Sequence, residues 1–295
     1  MLKKLLGSII GFIVGLVLIV GGTILVVNAK YGINIITVGK SLGKLGGTVD
    51  VAALAPRAPN YESGTDEATT AATVNAAISG LVIEPSTEDD SYRLSTSVSS
   101  TLSQDLRLTD TQCCVLLNWV LNNNEGSQIA NIAGKDVDLK DYEFKVVQIQ
   151  FSEGEEGAIN FNVVMSLSLK KIKDKMNGFP FSFLKNKVPD TLYISSTVSV
   201  TKTAGAFHYD VGHVSLALNN MSGEEVDKVF QLLNIFAKAG DVSNFNISLG
   251  KSFVDALIGN SEIGGFTYSM HDGVGVADFA FEKEGDTIYY VMKTA

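Results

Sequence analysis

The 295 residues carry 32 acidic and 23 basic side chains, for a net charge of −9 and a pI near 4.9. Such an acidic chain excludes binding to nucleic acid or to anionic lipid head groups through bulk charge. The two cysteines, Cys113 and Cys114, are adjacent, so there is no disulfide framework and the fold must rest on an ordinary core.

The first predicted element is residues 5–27, LLGSIIGFIVGLVLIVGGTILVV. It holds no charge, and its 23 residues at ~1.5 Å each exceed the ~30 Å of a bilayer core. Lys3 and Lys4 precede it and Lys30 follows, which leaves the N-terminus cytoplasmic and the rest of the chain outside. A cleaved signal peptide, with Val27-Asn28-Ala29 at the cleavage site, would need a shorter apolar core. Residues 5–27 are therefore read as an uncleaved anchor whose partner is the lipid bilayer. Gly7, Gly11 and Gly15 recur every fourth residue, a smooth stripe that lets two membrane helices approach closely and pair. Beyond the anchor, 21 basic residues face 32 acidic ones, a net charge of −11.

Residues 30–80 read as a membrane-proximal stalk and linker, with Pro56, Pro59 and Gly64 and weak helical character near TDEATTAATVNAAI. Residues 81–295 read as the extracytoplasmic α+β part, of a length that suits one large domain or two small ones, with residues 1–29 as the cytoplasmic stub and anchor. Two short strands are expected within 81–100, around Glu88, Asp89 and Asp90. Thr109 with Gln112 is a capping box that opens a helix, with Cys113, Leu116, Leu117, Val120 and Leu121 on one face and Trp119 at the rim. Residues 142–151 alternate and then change phase at Val146-Val147, which predicts a bulge. From 158 to 169 the alternation is strict: Ile159, Phe161, Val163, Met165, Leu167 and Leu169 point one way, and Asn160, Asn162, Ser166 and Ser168 the other. This is an antiparallel strand with one dry and one wet face. Strands at 191–201 and 206–218 follow, the second bulged near Gly212-His213. A second capped helix starts at Ser222 with Glu225, and a third runs from about Ser248 to Ile258 with Gly259 as its stop. Short strands near 265–270, 274–281 and 287–292 complete the predicted α+β fold, a long antiparallel sheet packed by amphipathic helices.

The stretch from Phe179 to Ser222 reads FPFSFLKNKVPDTLYISSTVSVTKTAGAFHYDVGHVSLALNNMS. Its apolar PFSFL segment, the Pro-Asp before a strand and the closing Leu-Asn-Asn before a helix resemble the YpmS-type proteins of Gram-positive bacteria. Leu116, Leu117 and Asn118 resemble the helix that opens their exported domain. The resemblance covers 108–222 and the anchor by position. It implies a single-pass membrane protein with an exported domain, and it carries no catalytic residues to this chain.

Few residues point to chemistry. Gly39-Lys40-Ser41-Leu42-Gly43 spells the G-x-S-x-G of a serine hydrolase elbow, but no sheet precedes it. His208, His213 and His271 lack metal-ligand spacing. Glu153, Glu155 and Glu156 read as a solvated hairpin tip, and Lys170, Lys171, Lys173 and Lys175 as a wet strand end. Neither a P-loop nor a dinucleotide fingerprint occurs, so no cofactor is expected. The chain is therefore read as an envelope protein with a structural or protein-interaction role rather than as an enzyme. The alternative is a binding module for a lipid or another apolar envelope ligand, with Phe179, Phe181 and Phe183 as the lip of its groove.

Overall fold

Helices and antiparallel strands succeed one another through residues 43–85, 92–123, 129–132, 135–138, 142–175, 188–222, 225–226, 245–262 and 264–295, the residues described by the computed structural model. The anchor with Gly7, Gly11 and Gly15, the Ser41 motif, Phe179, Phe181 and Phe183, and most of the helix expected from Ser222 lie outside them. Among the described residues no helix is long and apolar enough to cross a membrane.

The elements begin with α1 (Val51–Leu54), α2 (Thr65–Ala77) and the hairpin of β1 (Ile78–Pro85) and β2 (Tyr92–Leu102). β3 (Leu106–Leu108), α3 (Asp110–Asn123) and the small pair β4 (Ile129–Ile132) and β5 (Lys135–Asp138) come next. β6 (Lys145–Glu153), β7 (Ile159–Ser168), the short α4 (Lys170–Lys175), β8 (Thr191–Lys202), β9 (Tyr209–Leu218) and β10 (Met221–Ser222) follow. α5 (Phe245–Leu257), α6 (Phe266–Val274), β11 (Val276–Glu284) and β12 (Thr287–Thr294) end the chain. The main sheet is antiparallel with the order β10-β9-β8-β7-β6, and a second has the order β11-β12-β3. The α+β class with antiparallel sheets is therefore as the sequence predicts.

Alternation along β7 decides the core. Phe161, Val163, Met165 and Leu167 are each 1% exposed or less, and Leu192, Ile194, Val198 and Val200 of β8 share their cluster. Phe151, Phe161 and Phe281 meet edge to face with centroids 4.9–6.1 Å apart, and Phe279 and Tyr290 extend the stack. This aromatic group joins the two sheets, so the inner face of the main sheet is filled with side chains. Both expected bulges occur. Val147 is the extra residue between Val146 and Gln148, and Gly212-His213 bulges between Val211 and Val214.

The capping box at α3 is formed. The Thr109 N–H donates to Gln112 Oε1 (2.9 Å) and the Gln112 N–H to Thr109 Oγ1 (3.2 Å). Gln112 Nε2 also donates to Thr73 Oγ1 (2.9 Å), tying α3 to α2. α3 is buried on all sides from Gln112 to Trp119, not along one face. Trp119 is 3% exposed and gives its N–H to Glu67, so it lies in the core rather than at its rim.

The side chains of α3 also close an edge. β6 is the last strand of its sheet, and its outward backbone groups need partners. Asn118 gives its Nδ2 to the Val146 carbonyl (2.7 Å) and takes the Val146 N–H on Oδ1 (3.0 Å), while Asp110 takes the Phe151 N–H (3.4 Å).

At the opposite edge, Asn219 occupies the left-handed region at φ +49, which Asn tolerates. Its Oδ1 accepts the Tyr193 N–H (2.7 Å) and its Nδ2 donates to the Leu45 carbonyl (2.6 Å). Asn220 Nδ2 reaches the carbonyls of Lys44 (3.3 Å) and Thr48 (3.2 Å). The Leu-Asn-Asn of the sequence thus cleats residues 44–48 to the β9–β10 turn.

Three further expectations need correction. Lys170–Lys175, read as a wet strand end, form the short helix α4. Residues 65–78, read from composition as linker, form α2 and the start of β1, and Ala71, Val74, Ala77 and Ile78 join the core. Small side chains let this helix pack closely, although its pattern is only weakly amphipathic. Residues 266–270, read as a strand, belong to α6: the Phe266, Tyr268, Met270 alternation is outweighed by Thr267, Met270 and Val274 at helical spacing, with Gly275 at φ +78 as the stop.

Candidate functional site

The outer face of the main sheet is not simply wet. Residues 50–58 cross it as a strap. Asp50 caps α1 by accepting the Ala53 N–H (3.1 Å), and Ala55 then packs on Val147 and Val164. The Arg57 N–H donates to Gln148 Oε1 (2.7 Å), a contact between residues 91 positions apart. The segment continues around the β6 edge to Tyr61, whose hydroxyl accepts from Asn118 Nδ2 (2.9 Å). Proline at 56 and 59 suits such a non-helical path.

Beside the strap lies an open groove of about 590 Å³. The strap walls it with Ala53, Leu54 and Pro56. Its floor is a row across four strands, with Gln150 of β6, Asn162 of β7, Thr197 of β8 and Ser215 of β9 in register. Ser195 lies beside Thr197 on the same face, and the β9 bulge turns His213 into the lining. Among the described residues, His213 is the one titratable side chain that lines the groove.

The row is partly joined. Thr197 Oγ1 donates to Asn162 Oδ1 (2.8 Å), Asn162 Nδ2 to Ser152 Oγ (3.1 Å), and the Thr197 N–H to Ser215 Oγ (3.3 Å). Among the described residues, the side chains of Gln150, Ser195 and His213 make no hydrogen bond. Unspent donors and acceptors thus converge on one concavity, the arrangement that orients a bound ligand.

Other candidates resolve into structure. Asp255, 2% exposed, accepts a short hydrogen bond from the Tyr209 hydroxyl and lies 3.5 Å from Lys251 Nζ. Burial and this carboxylate hold the Tyr209 phenol well above its ordinary value, and the pair braces α5 against β9. A smaller pocket of about 360 Å³ holds Arg57, Asp66, Asp110 and Asp286. There Asp110 is committed to the Thr111 and Phe151 N–H groups, and Asp66 to that of Asn60.

The residues singled out from sequence fall in separate places. His208 Nδ1 sits 2.7 Å from the Ala206 carbonyl, and His271 stacks on Tyr268. Among the described residues no three His, Cys, Asp or Glu form a metal-binding group. Glu153 pairs with Lys283 (2.7 Å), and Lys173 with Asp190, whose carboxyl is held below its ordinary value by that lysine.

Cys113 and Cys114 are free and fully buried. Burial raises both thiols, that of Cys114 to about 12. Neither is expected to react with a maleimide at pH 8 in the folded chain, and both should react after unfolding. Rapid labelling of either native thiol would contradict this burial.

No family model matches this chain, and no curated protein or solved structure does. The YpmS-type resemblance therefore stands on its residues alone. Sequence reasoning missed the groove because its strap looked like a linker. The available signal was the run of amides and hydroxyls at Gln148, Gln150, Asn160, Asn162, Ser195 and Thr197, too uncharged for a face exposed only to water.

Proposed function

We propose that this chain is a single-pass membrane protein of the cell envelope, anchored by residues 5–27 with its N-terminus cytoplasmic, whose exported part acts by interaction rather than catalysis. The groove beside the strap carries this reading: it is concave, has unspent hydrogen-bonding groups, and among the described residues pairs no nucleophile with a base. Gly7, Gly11 and Gly15 supply a surface on which two anchors pair, and the YpmS-type resemblance implies the same place and class. A lipid-carrying role finds less support, because the inner face of the main sheet is occupied by its own core.

The test uses a cysteine in place of Ser195, since both native thiols are buried. Intact cells carrying Ser195→Cys are treated with a membrane-impermeant, photoreactive maleimide and irradiated. Labelling without permeabilisation, with a discrete adduct absent from Glu155→Cys at the hairpin tip, is expected. Labelling only after permeabilisation would overturn the placement. Labelling with no adduct, or with the same adducts at both positions, would overturn the interaction role.

A further inference from the structure

We infer that the groove beside the strap takes an uncharged, polyhydroxylated chain, a neutral oligosaccharide; this rests on the interaction reading above and names its ligand class. The first ground is charge. The chain has 23 lysines and arginines and 32 acidic residues, yet among the described residues none of them lines the groove. A phosphate, sulfate, carboxylate or polyamine ligand would lose hydration there and find no lysine, arginine or carboxylate to pair with among the described residues.

The second ground is the unspent hydrogen-bonding capacity. Among the described residues, Gln150, Ser195 and His213 are uncommitted, so a hydrocarbon ligand would leave their polar groups dry and unpaired. Hydroxyl groups satisfy them instead. An amide such as Gln150 gives an N–H and accepts an O–H at once, the pairing that vicinal hydroxyls present. Thr197 Oγ1, which donates to Asn162, keeps its lone pairs, and Ser215 Oγ, which accepts from the Thr197 N–H, keeps its O–H.

The third ground is form. The row Gln150, Asn162, Thr197 and Ser215 repeats from strand to strand, at ~4.8 Å per step, a repeat of the order of one sugar ring. Leu54 and Pro56 add apolar surface for the C–H faces of such rings, and about 590 Å³ falls within the usual size of a small-molecule site. Among the described residues no aromatic platform lines the groove, so a modest dissociation constant of about 0.1–1 mM is expected.

The experiment uses the full chain in lipid nanodiscs, which avoids sugar-headed detergents. Chitotetraose and maltotetraose serve as neutral probes and tetragalacturonate as the charged one, read by saturation-transfer NMR and titration calorimetry. Saturable binding of at least one neutral probe, without binding of tetragalacturonate, is expected. Gln150→Ala and Ser195→Ala should each weaken it about fivefold at an unchanged melting temperature. The inference is overturned if neither neutral probe binds, if the charged probe binds as well, or if both variants bind like the parent. Failure here together with a specific adduct at Ser195→Cys would remove the sugar and leave the interaction role standing; failure of both would remove both.

Discussion

Replacing Gly265 by Ala is expected to cost about 4 kcal/mol or more and to prevent the chain from reaching its native fold. A Cβ on Gly265 would lie 2.3 Å from the Asp255 carbonyl oxygen and 2.3 Å from the Gly259 nitrogen. Both are backbone atoms, so no rotamer change relieves the overlap. The closeness is reciprocal, since a Cβ on Gly259 would meet the Gly265 nitrogen at 2.2 Å. Here α5 ends, Gly259 turns the chain at φ +72, and α6 begins against the same point, with the Tyr268 N–H donating to the Ile258 carbonyl (3.0 Å). Gly273, on α6 itself, supplies the control: a Cβ there meets nothing within 4 Å. Gly273→Ala should stabilise by about 0.5–1 kcal/mol through helix propensity. Thermal and urea unfolding followed by circular dichroism measures both, and a Gly265→Ala protein that melts like the parent would refute the backbone contact.

The Asn118→Ala variant should lose about 3 kcal/mol, with a melting temperature lower by roughly 6–12 °C. Asn118 is 7% exposed, and its amide serves Val146 N–H, Val146 C=O, Cys114 C=O and the Tyr61 hydroxyl together. Truncation leaves the Val146 N–H without its partner and its carbonyl with only the Cys114 thiol (3.4 Å), in a site 3% exposed. It also releases Tyr61 and with it the far end of the strap, so the groove should loosen along with the fold. Asn118→Asp keeps the acceptor but removes both donors and buries a charge, and should cost more. A loss below 1 kcal/mol for the alanine variant would mean that water replaces the amide.

Legibility in the sequence followed the range of the forces involved. The Thr109–Gln112 capping box, the stop at Gly259, the alternation through Phe161 and Met165, and both bulges are set by neighbours within a few residues, and each could be read. The strap could not. It is held by Ala55, too small to register as apolar patterning, and by a backbone N–H given to Gln148 far along the chain. The groove depended on that strap and was hidden with it, although its floor was visible as a polar face. The alternation at 266–270 misled because Phe, Tyr and Met at every second position match a strand, whereas the helical face is set by Thr267, Met270 and Val274, and Thr267 finds its partner, the Tyr290 hydroxyl at 2.7 Å, far downstream.

The cleat made by Asn219 and Asn220 has a mechanical consequence. For a chain held in a bilayer at residue 27, eighteen residues, 28 to 45, separate the bilayer from the cleat, and eighteen residues can span at most about 60 Å. That span ends at the β9–β10 turn, and Ser215 and Ala217 of β9 lie just before it in the wall of the groove. Tension on such an anchor would therefore be delivered first to a strand that walls the groove, so pulling would act on the same hydrogen bonds that shape the groove.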